Sequence, residues 1–310
     1  MRFKQFIGLG FIVFAWGCTK TIDLALPDYI KEPVVTALLN PDSLIRVQLS
    51  YSFPANSVQT IPEPIQKARV TLSEDGNLLP PLTEGKAGQY ALNRKPQPGS
   101  VYSLTVLTPI GKTLLATDRI PVRPTLSAQL SDPNPANSNS NPDILLTLRP
   151  YENTSSVQWL SVYMRVLTGP QNLPETNTQG IQSNSLLFDD FNSNLSGKNY
   201  KRTYWPYTRI KPTVFESLEN PILTFNTGNS IQRVDTPGEF YQLTIWTGSN
   251  AFDNYLRSVV IAYQNRISDD GDISENPFVQ PSPIVSNVTN GKGVFAGYTT
   301  QVILLKEGKK

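Results

Sequence analysis

The residue with the clearest chemistry is Cys18, the only cysteine among the 310 residues. It follows a basic start, Arg2 and Lys4, and an apolar run over residues 6–16. This order is typical of a bacterial lipoprotein signal, in which cleavage before the cysteine exposes an amino group and a thiol that both accept acyl chains. The sequence therefore predicts a signal peptide over residues 1–17 and a lipid anchor on Cys18.

The same residues predict a protein that is tethered to a membrane and does not cross it at this point. The apolar run has 11 residues, whereas a spanning helix needs about 20. Each buried methylene adds about 0.8 kcal/mol of membrane affinity, so several acyl chains together hold a protein firmly. We assign residues 18–28 to the lipidated tether. An ordinary secretory signal that is cut elsewhere is the alternative.

The charge balance argues against a nucleic-acid partner. Lys and Arg total 27 and Asp and Glu total 25, and the two basic residues before Cys18 leave 25 of each sign in the mature chain. Binding to phosphates requires an excess of basic residues gathered on one face. Acylation of the lone cysteine also leaves no thiol for a disulfide, so burial of apolar side chains must stabilise the fold.

The chain contains no histidine, which removes the usual general base, the commonest zinc ligand and every Ser-His or Cys-His pair. Carboxylate pairs and Ser-Lys dyads need no imidazole and stay possible, but no paired-carboxylate motif stands out, so we expect no enzyme activity and no cofactor. The acidic segment Ser268–Asp272 with Glu275 carries the oxygen ligands that calcium prefers, but its spacing differs from the twelve-residue helix-loop-helix pattern. We interpret it as a solvated acidic turn and expect no metal site.

Short strand-like segments separated by turn residues fill the N-terminal half. The first two, 34–39 and 44–51, flank a turn and predict a hairpin with Ile45, Val47 and Leu49 on one apolar face. Others follow at 68–73, 89–92, 101–108 and 113–120. The spacing predicts a mostly β protein whose residues 29–124 form an immunoglobulin-like or prealbumin-like β-sandwich.

The polar segment 131–142 is too poor in apolar residues to fold alone. We therefore assign residues 125–142 to a linker and residues 143–310 to a second, mixed β-rich domain. Apolar residues three and four positions apart predict one helix near 251–264. We expect Asn250 to cap it and Asp253 to reach back to the cap amide.

One aromatic cluster is a candidate for binding. Tyr204, Trp205 and Tyr207 lie among basic residues within ten positions of the chain. Aromatic rings flanked by cations can stack on a sugar or contact a protein partner, although the same composition is common at strand edges. These three residues are the predicted ligand or partner contacts.

Both ends of the mature chain resemble one family. The closing segment includes Asn276-Pro277-Phe278 and then Ser286–Tyr298, which contains Asn-Gly-Lys-Gly-Val-Phe. The opening has Cys18, then Ile22-Asp23-Leu24, and then Glu32–Thr36. Together these segments resemble a Bacteroidota lipoprotein family filed as domain of unknown function 4249. The two glycines of the closing motif predict a tight turn before a final strand that carries Val294 and Phe295.

The resemblance implies an outer-membrane lipoprotein with no established activity, of a kind often encoded beside TonB-dependent transporters. By analogy with starch-utilisation lipoproteins, we expect a lipid-anchored binding protein that assists such a transporter in substrate capture or complex assembly. We expect it at the cell surface and not at the periplasmic face. A structural or adhesive envelope protein without a small-molecule ligand is the alternative.

Overall fold

The computed structural model describes residues 29–54, 61–130, 144–149, 156–166, 175–179, 182–183, 201–202, 208–210, 222–225, 239–264 and 283–305. These residues form strands and one helix, so the predicted mostly β class is confirmed. The strands are β1 (Pro33–Leu39), β2 (Ile45–Tyr51), β3 (Arg69–Glu74), β4 (Asn77–Leu78), β5 (Thr83–Glu84), β6 (Gln89–Leu92), β7 (Val101–Leu107), β8 (Thr113–Arg119), β9 (Thr125–Leu130), β10 (Ile144–Arg149), β11 (Val157–Val166), β12 (Glu175–Gln179), β13 (Gln182–Ser183), β14 (Lys201–Arg202), β15 (Thr208–Arg209), β16 (Ile222–Phe225), β17 (Glu239–Gly248) and β18 (Lys292–Leu305). The helix is α1 (Asn250–Gln264).

The N-terminal half is a sandwich of two sheets, as the sequence predicts. One layer has the order β18-β1-β2-β6-β5 and the other has the order β4-β3-β7-β8. Their common core contains Val35 and Val47 from the first layer and Val70, Leu104 and Leu114 from the second. Because alternate strand residues point to opposite faces, the period-two pattern read from the sequence supplies one buried face to each layer.

The predicted hairpin is confirmed, since β1 and β2 pair antiparallel from Pro33 opposite Tyr51. Its predicted apolar face is also confirmed. Ile45, Val47 and Leu49 are buried in the sandwich core, and the residues that alternate with them are less buried.

The C-terminal half packs a sheet between two further layers. Strands β12, β11, β17 and the second part of β18 form the sheet, and β15 also pairs with β11. One face packs on the small sheet β16-β10-β9 through residues such as Leu146, Phe225 and Ile245. The other face is covered by α1, whose Phe252 and Val260 share a core with Trp159. The helix lies at 250–264, as the sequence predicts within one residue.

Strand β18 belongs to both halves. Residues 292–297 pair in parallel with β1, from Lys292 opposite Val34 to Gly297 opposite Leu39. Residues 298–305 pair antiparallel with β17. The two halves therefore share one continuous sheet. Residues 125–130, the start of the predicted linker, form β9 and pair with β10. The domain boundaries themselves stay a prediction.

The glycine-containing turn before β18 is confirmed. Asn290 has a left-handed backbone with φ of 61°, and β18 begins at Lys292. Gly293 has φ of +110°, and a Cβ at this position would lie 1.9 Å from the carbonyl oxygen of Val35 on β1. Only glycine fits both the backbone conformation and this close approach of two strands.

We expect Gly293→Ala to lower the free energy of unfolding by about 2–3 kcal/mol, because the variant combines backbone strain with a clash against β1. The matched control is Gly111→Ala. Gly111 also has a positive φ, +80°, but a Cβ there would meet nothing within 4 Å, so we expect a loss of about 1 kcal/mol. Denaturant unfolding of the purified proteins measures both changes. Equal losses would contradict the role assigned to the β1–β18 contact.

Candidate functional site

The predicted site residues Cys18, Tyr204, Trp205 and Tyr207 lie outside the residues that the structure describes. The acidic segment 268–275, for which we expect no metal site, also lies outside them. Both flanks of the aromatic segment are described. On one side β14 pairs antiparallel with β13, and on the other side β15 pairs with β11. Only five positions, 203–207, separate these two paired strands.

The strand that follows the aromatic segment is fixed by a buried ion pair. The Arg209 guanidinium donates from Nε to Oδ1 of Asp253 and from Nη2 to Oδ2, both at 2.8 Å. The Trp159 indole nitrogen Nε1 also donates to Oδ1, at 2.9 Å. All three residues are buried. The cluster therefore joins β15, β11 and the first turn of α1.

This cluster is a structural link between β15 and α1. Both oxygens of the Asp253 carboxylate accept hydrogen bonds from the guanidinium. This bidentate geometry makes arginine–carboxylate pairs strong and directional. Breaking such a buried pair is strongly destabilising in general. The arrangement holds the end of β15, and thus the residue next to position 207, at a fixed place on the sheet.

Two expectations about α1 are wrong. The cap is Ser249 and not Asn250, because the Ser249 hydroxyl oxygen accepts a hydrogen bond from the Phe252 amide at 3.1 Å. Asp253 does not reach back to the cap amide, since its carboxylate binds Arg209 and Trp159. No local pattern marks these partners in the sequence, because they lie 44 and 94 residues away from Asp253.

A second, partly buried carboxylate joins the two halves of the fold. Asp118, near the end of β8, accepts hydrogen bonds at Oδ2 from the Ser249 hydroxyl at 2.5 Å and from the Gly297 amide at 2.7 Å. Burial raises the pKa of Asp118 above its ordinary value of 3.8, while these two hydrogen bonds oppose that rise. A Cβ at Gly297 would lie 2.8 Å from the Arg119 carbonyl oxygen, so the contact between β8 and β18 is close.

A side-chain amide fixes the approach to the final strand. Asn287 accepts a hydrogen bond at Oδ1 from the Phe295 amide, at 2.9 Å, and donates from Nδ2 to the Phe295 carbonyl oxygen, at 2.7 Å. This exchange imitates the pairing of two strands. It positions Phe295, whose ring lies in the sandwich core.

The described part of the chain contains no group of three or more His, Cys, Asp or Glu residues that could hold a metal ion. Among the same residues, no helix is long and apolar enough to span a membrane.

These features define a mostly β protein in which a two-layer sandwich and a helix-covered sheet share one long C-terminal strand. The chain belongs to the family described as Domain of unknown function (DUF4249), whose model matches residues 19–303. The expected family assignment is thereby confirmed. A comparison with curated proteins found no match.

We expect Asp253→Asn to lower the free energy of unfolding by about 3–5 kcal/mol, because the variant removes the carboxylate charge from a buried, bidentate ion pair. The matched control is Glu63→Gln, which breaks the exposed pair between Lys31 and Glu63 and should cost about 0–1 kcal/mol. Denaturant unfolding of the purified proteins measures both. A loss at Asp253 no larger than at Glu63 would contradict the anchoring role.

Asp118 gives a pH-dependent prediction. Its pKa is raised in the folded state, so the folded protein holds this proton at pH values where the unfolded chain has lost it. Its contribution to stability is full below the unfolded pKa of about 3.8 and is lost as the pH rises through the folded pKa. We expect Asp118→Asn to remove this loss. Relative to the variant, the wild type should become less stable between acidic and neutral pH in denaturant titrations. A stability difference that stays constant with pH would refute the prediction.

Proposed function

We propose that the protein is a lipid-anchored outer-membrane protein that acts by binding, as an accessory of a TonB-dependent transporter in substrate capture or complex assembly. The proposal joins the acylation signal at Cys18 to the family resemblance and to the layout of the fold. It assigns no catalytic step to the chain, in keeping with the absence of histidine from its sequence.

The observation that supports the proposal is that the pairing of β18 with β17 begins only beyond Gly297, past the end of β1 that is farther from Tyr29. The chain enters the fold at Pro33, where β1 begins. Strand β18 runs parallel to β1 from that end and continues past Leu39 into the second half. Its 14 residues span about 46 Å at 3.3 Å per residue. A lipid at Cys18 would therefore leave the strands that pair with residues 298–305 farther from the membrane than the start of β1, while α1 packs back along β18 to Val294.

The binding contacts of the proposal are Tyr204, Trp205 and Tyr207. Support comes from the described flanks, since the residues on both sides of 203–207 are paired in strands. The Arg209–Asp253 ion pair fixes the flank formed by β15 to helix α1 of the C-terminal half. Aromatic residues dominate the binding energy of many interfaces.

The test is co-purification from detergent-solubilised membranes. We expect the wild type to bring a large β-barrel transporter with it. We expect Trp205→Ala combined with Tyr207→Ala to reduce the recovered partner by roughly tenfold or more, because interface aromatic residues contribute on the order of 2 kcal/mol each. Leu78→Ala, at an exposed turn of the sandwich, is the control and should leave recovery unchanged.

The lipid anchor at Cys18 is tested by metabolic labelling of the cells that produce the protein. We expect the wild type to incorporate labelled palmitate and Cys18→Ser to lose both the label and the membrane fraction. An unlabelled wild type would refute the lipid anchor. A labelled protein that purifies alone would refute the transporter role and leave the structural or adhesive alternative.

A further inference from the structure

Exposed apolar side chains gather at the end of the sandwich where the chain enters the fold. Ile30 and Ile61 are each 77% exposed and Ile110 is 70% exposed, and Tyr29 and Phe53 are also exposed. We call this set the tether-side face. Scattered apolar residues are ordinary on a protein surface, whereas several at one end of a molecule mark an interaction site.

The first part of this face is held together by hydrogen bonds near the start of β1. The Tyr29 hydroxyl lies 2.8 Å from the Ser52 hydroxyl, which places Phe53 beside the entering chain. The Tyr51 amide donates to the Glu63 carbonyl oxygen at 2.8 Å. That bond brings the segment containing Ile61 to the same end.

The turn between β7 and β8, which carries Ile110, reaches this end from the other layer of the sandwich. The Asn290 side chain donates from Nδ2 to the Thr113 carbonyl oxygen at 3.1 Å, which ties the start of β8 to the turn before β18. At that turn a Cβ on Gly291 would lie 2.9 Å from the Pro33 carbonyl oxygen. Exposed apolar residues from both layers of the sandwich therefore lie at the same end, near the start of β1.

Charged side chains near this end carry an excess of positive charge. Among the described residues at this end are five lysines and three glutamates, namely Lys31, Lys67, Lys86, Lys112, Lys292, Glu32, Glu63 and Glu84. Lys31 pairs with Glu63 at 2.6 Å and Lys292 with Glu32 at 3.6 Å. Exposed apolar residues together with lysines are the composition with which proteins contact the interface of a bilayer that contains anionic lipid.

We propose that the tether-side face lies on the bilayer surface to which Cys18 is attached, and that this contact holds the sandwich upright on the membrane. The inference rests on the proposed lipid anchor. Cys18 precedes Tyr29 by 11 residues, which span at most about 36–40 Å when fully extended. The anchor therefore keeps the face within a short distance of the lipid, and the contact needs little further free energy to form.

The experiment uses the full-length lipidated protein with one introduced cysteine. Acylation occupies the sulfur of Cys18, so Ile110→Cys or Leu78→Cys supplies the only free thiol for an environment-sensitive fluorophore. Ile110 and Leu78 are matched, because they are 70% and 75% exposed and belong to the same layer. Leu78 lies at the opposite end, next to the turn after β3. Each labelled protein is reconstituted into vesicles of phosphatidylethanolamine and phosphatidylglycerol.

We expect the fluorophore at position 110 to shift its emission to shorter wavelength on reconstitution and to be quenched by brominated lipid, and the fluorophore at position 78 to do neither. Floating vesicles that carry the protein without a shift at position 110 would overturn the inference while leaving the anchor intact. Protein that fails to float would overturn both proposals. A shift at position 110 that rises with protein concentration in detergent would assign the face to a second copy, which also overturns the inference.

Discussion

The close passage of β18 beside β1 is the contact on which the rest of the structure depends. At Gly293 the strands approach so closely that no side chain fits, and from there β18 continues through both halves. Because β18 pairs with β1 in one half and with β17 in the other, moving one half relative to the other would break backbone pairing along this strand. The pairing of β18 therefore fixes β1 and β17 relative to each other, and the proposed function relies on this fixed arrangement.

A buried carboxylate, Asp253, and a partly buried one, Asp118, supplement this shared strand, and they act at different places. Asp118 joins β8 to the start of α1 and to β18, across the junction of the halves. Asp253 lies within the C-terminal half, where it joins α1 to β11 and β15. Because buried polar groups need hydrogen-bond partners, each carboxylate specifies which elements must meet. Apolar packing alone is compatible with more than one arrangement of these strands and the helix.

The sequence was most informative where structure depends on neighbours along the chain. The hairpin of β1 and β2 and its buried face followed from alternation and a turn, and α1 followed from apolar residues at spacings of three and four. The cap of α1 was misplaced by one residue, because Ser249 and Asn250 are both favourable capping residues. The roles of Cys18 and of the aromatic residues 204, 205 and 207 are still predictions.

What the sequence by itself determined is the mostly β class, the position of the helix and the family, because each depends on local periodicity or on motifs that can be read in order. Only the tertiary structure decided that β18 serves both halves and that Asp253 pairs with Arg209 and Trp159. It also decided that Tyr29 and Ile110 lie at the same end of the sandwich. These contacts join residues far apart in the chain, and periodicity carries no information about which distant strand, cation or turn will become a neighbour.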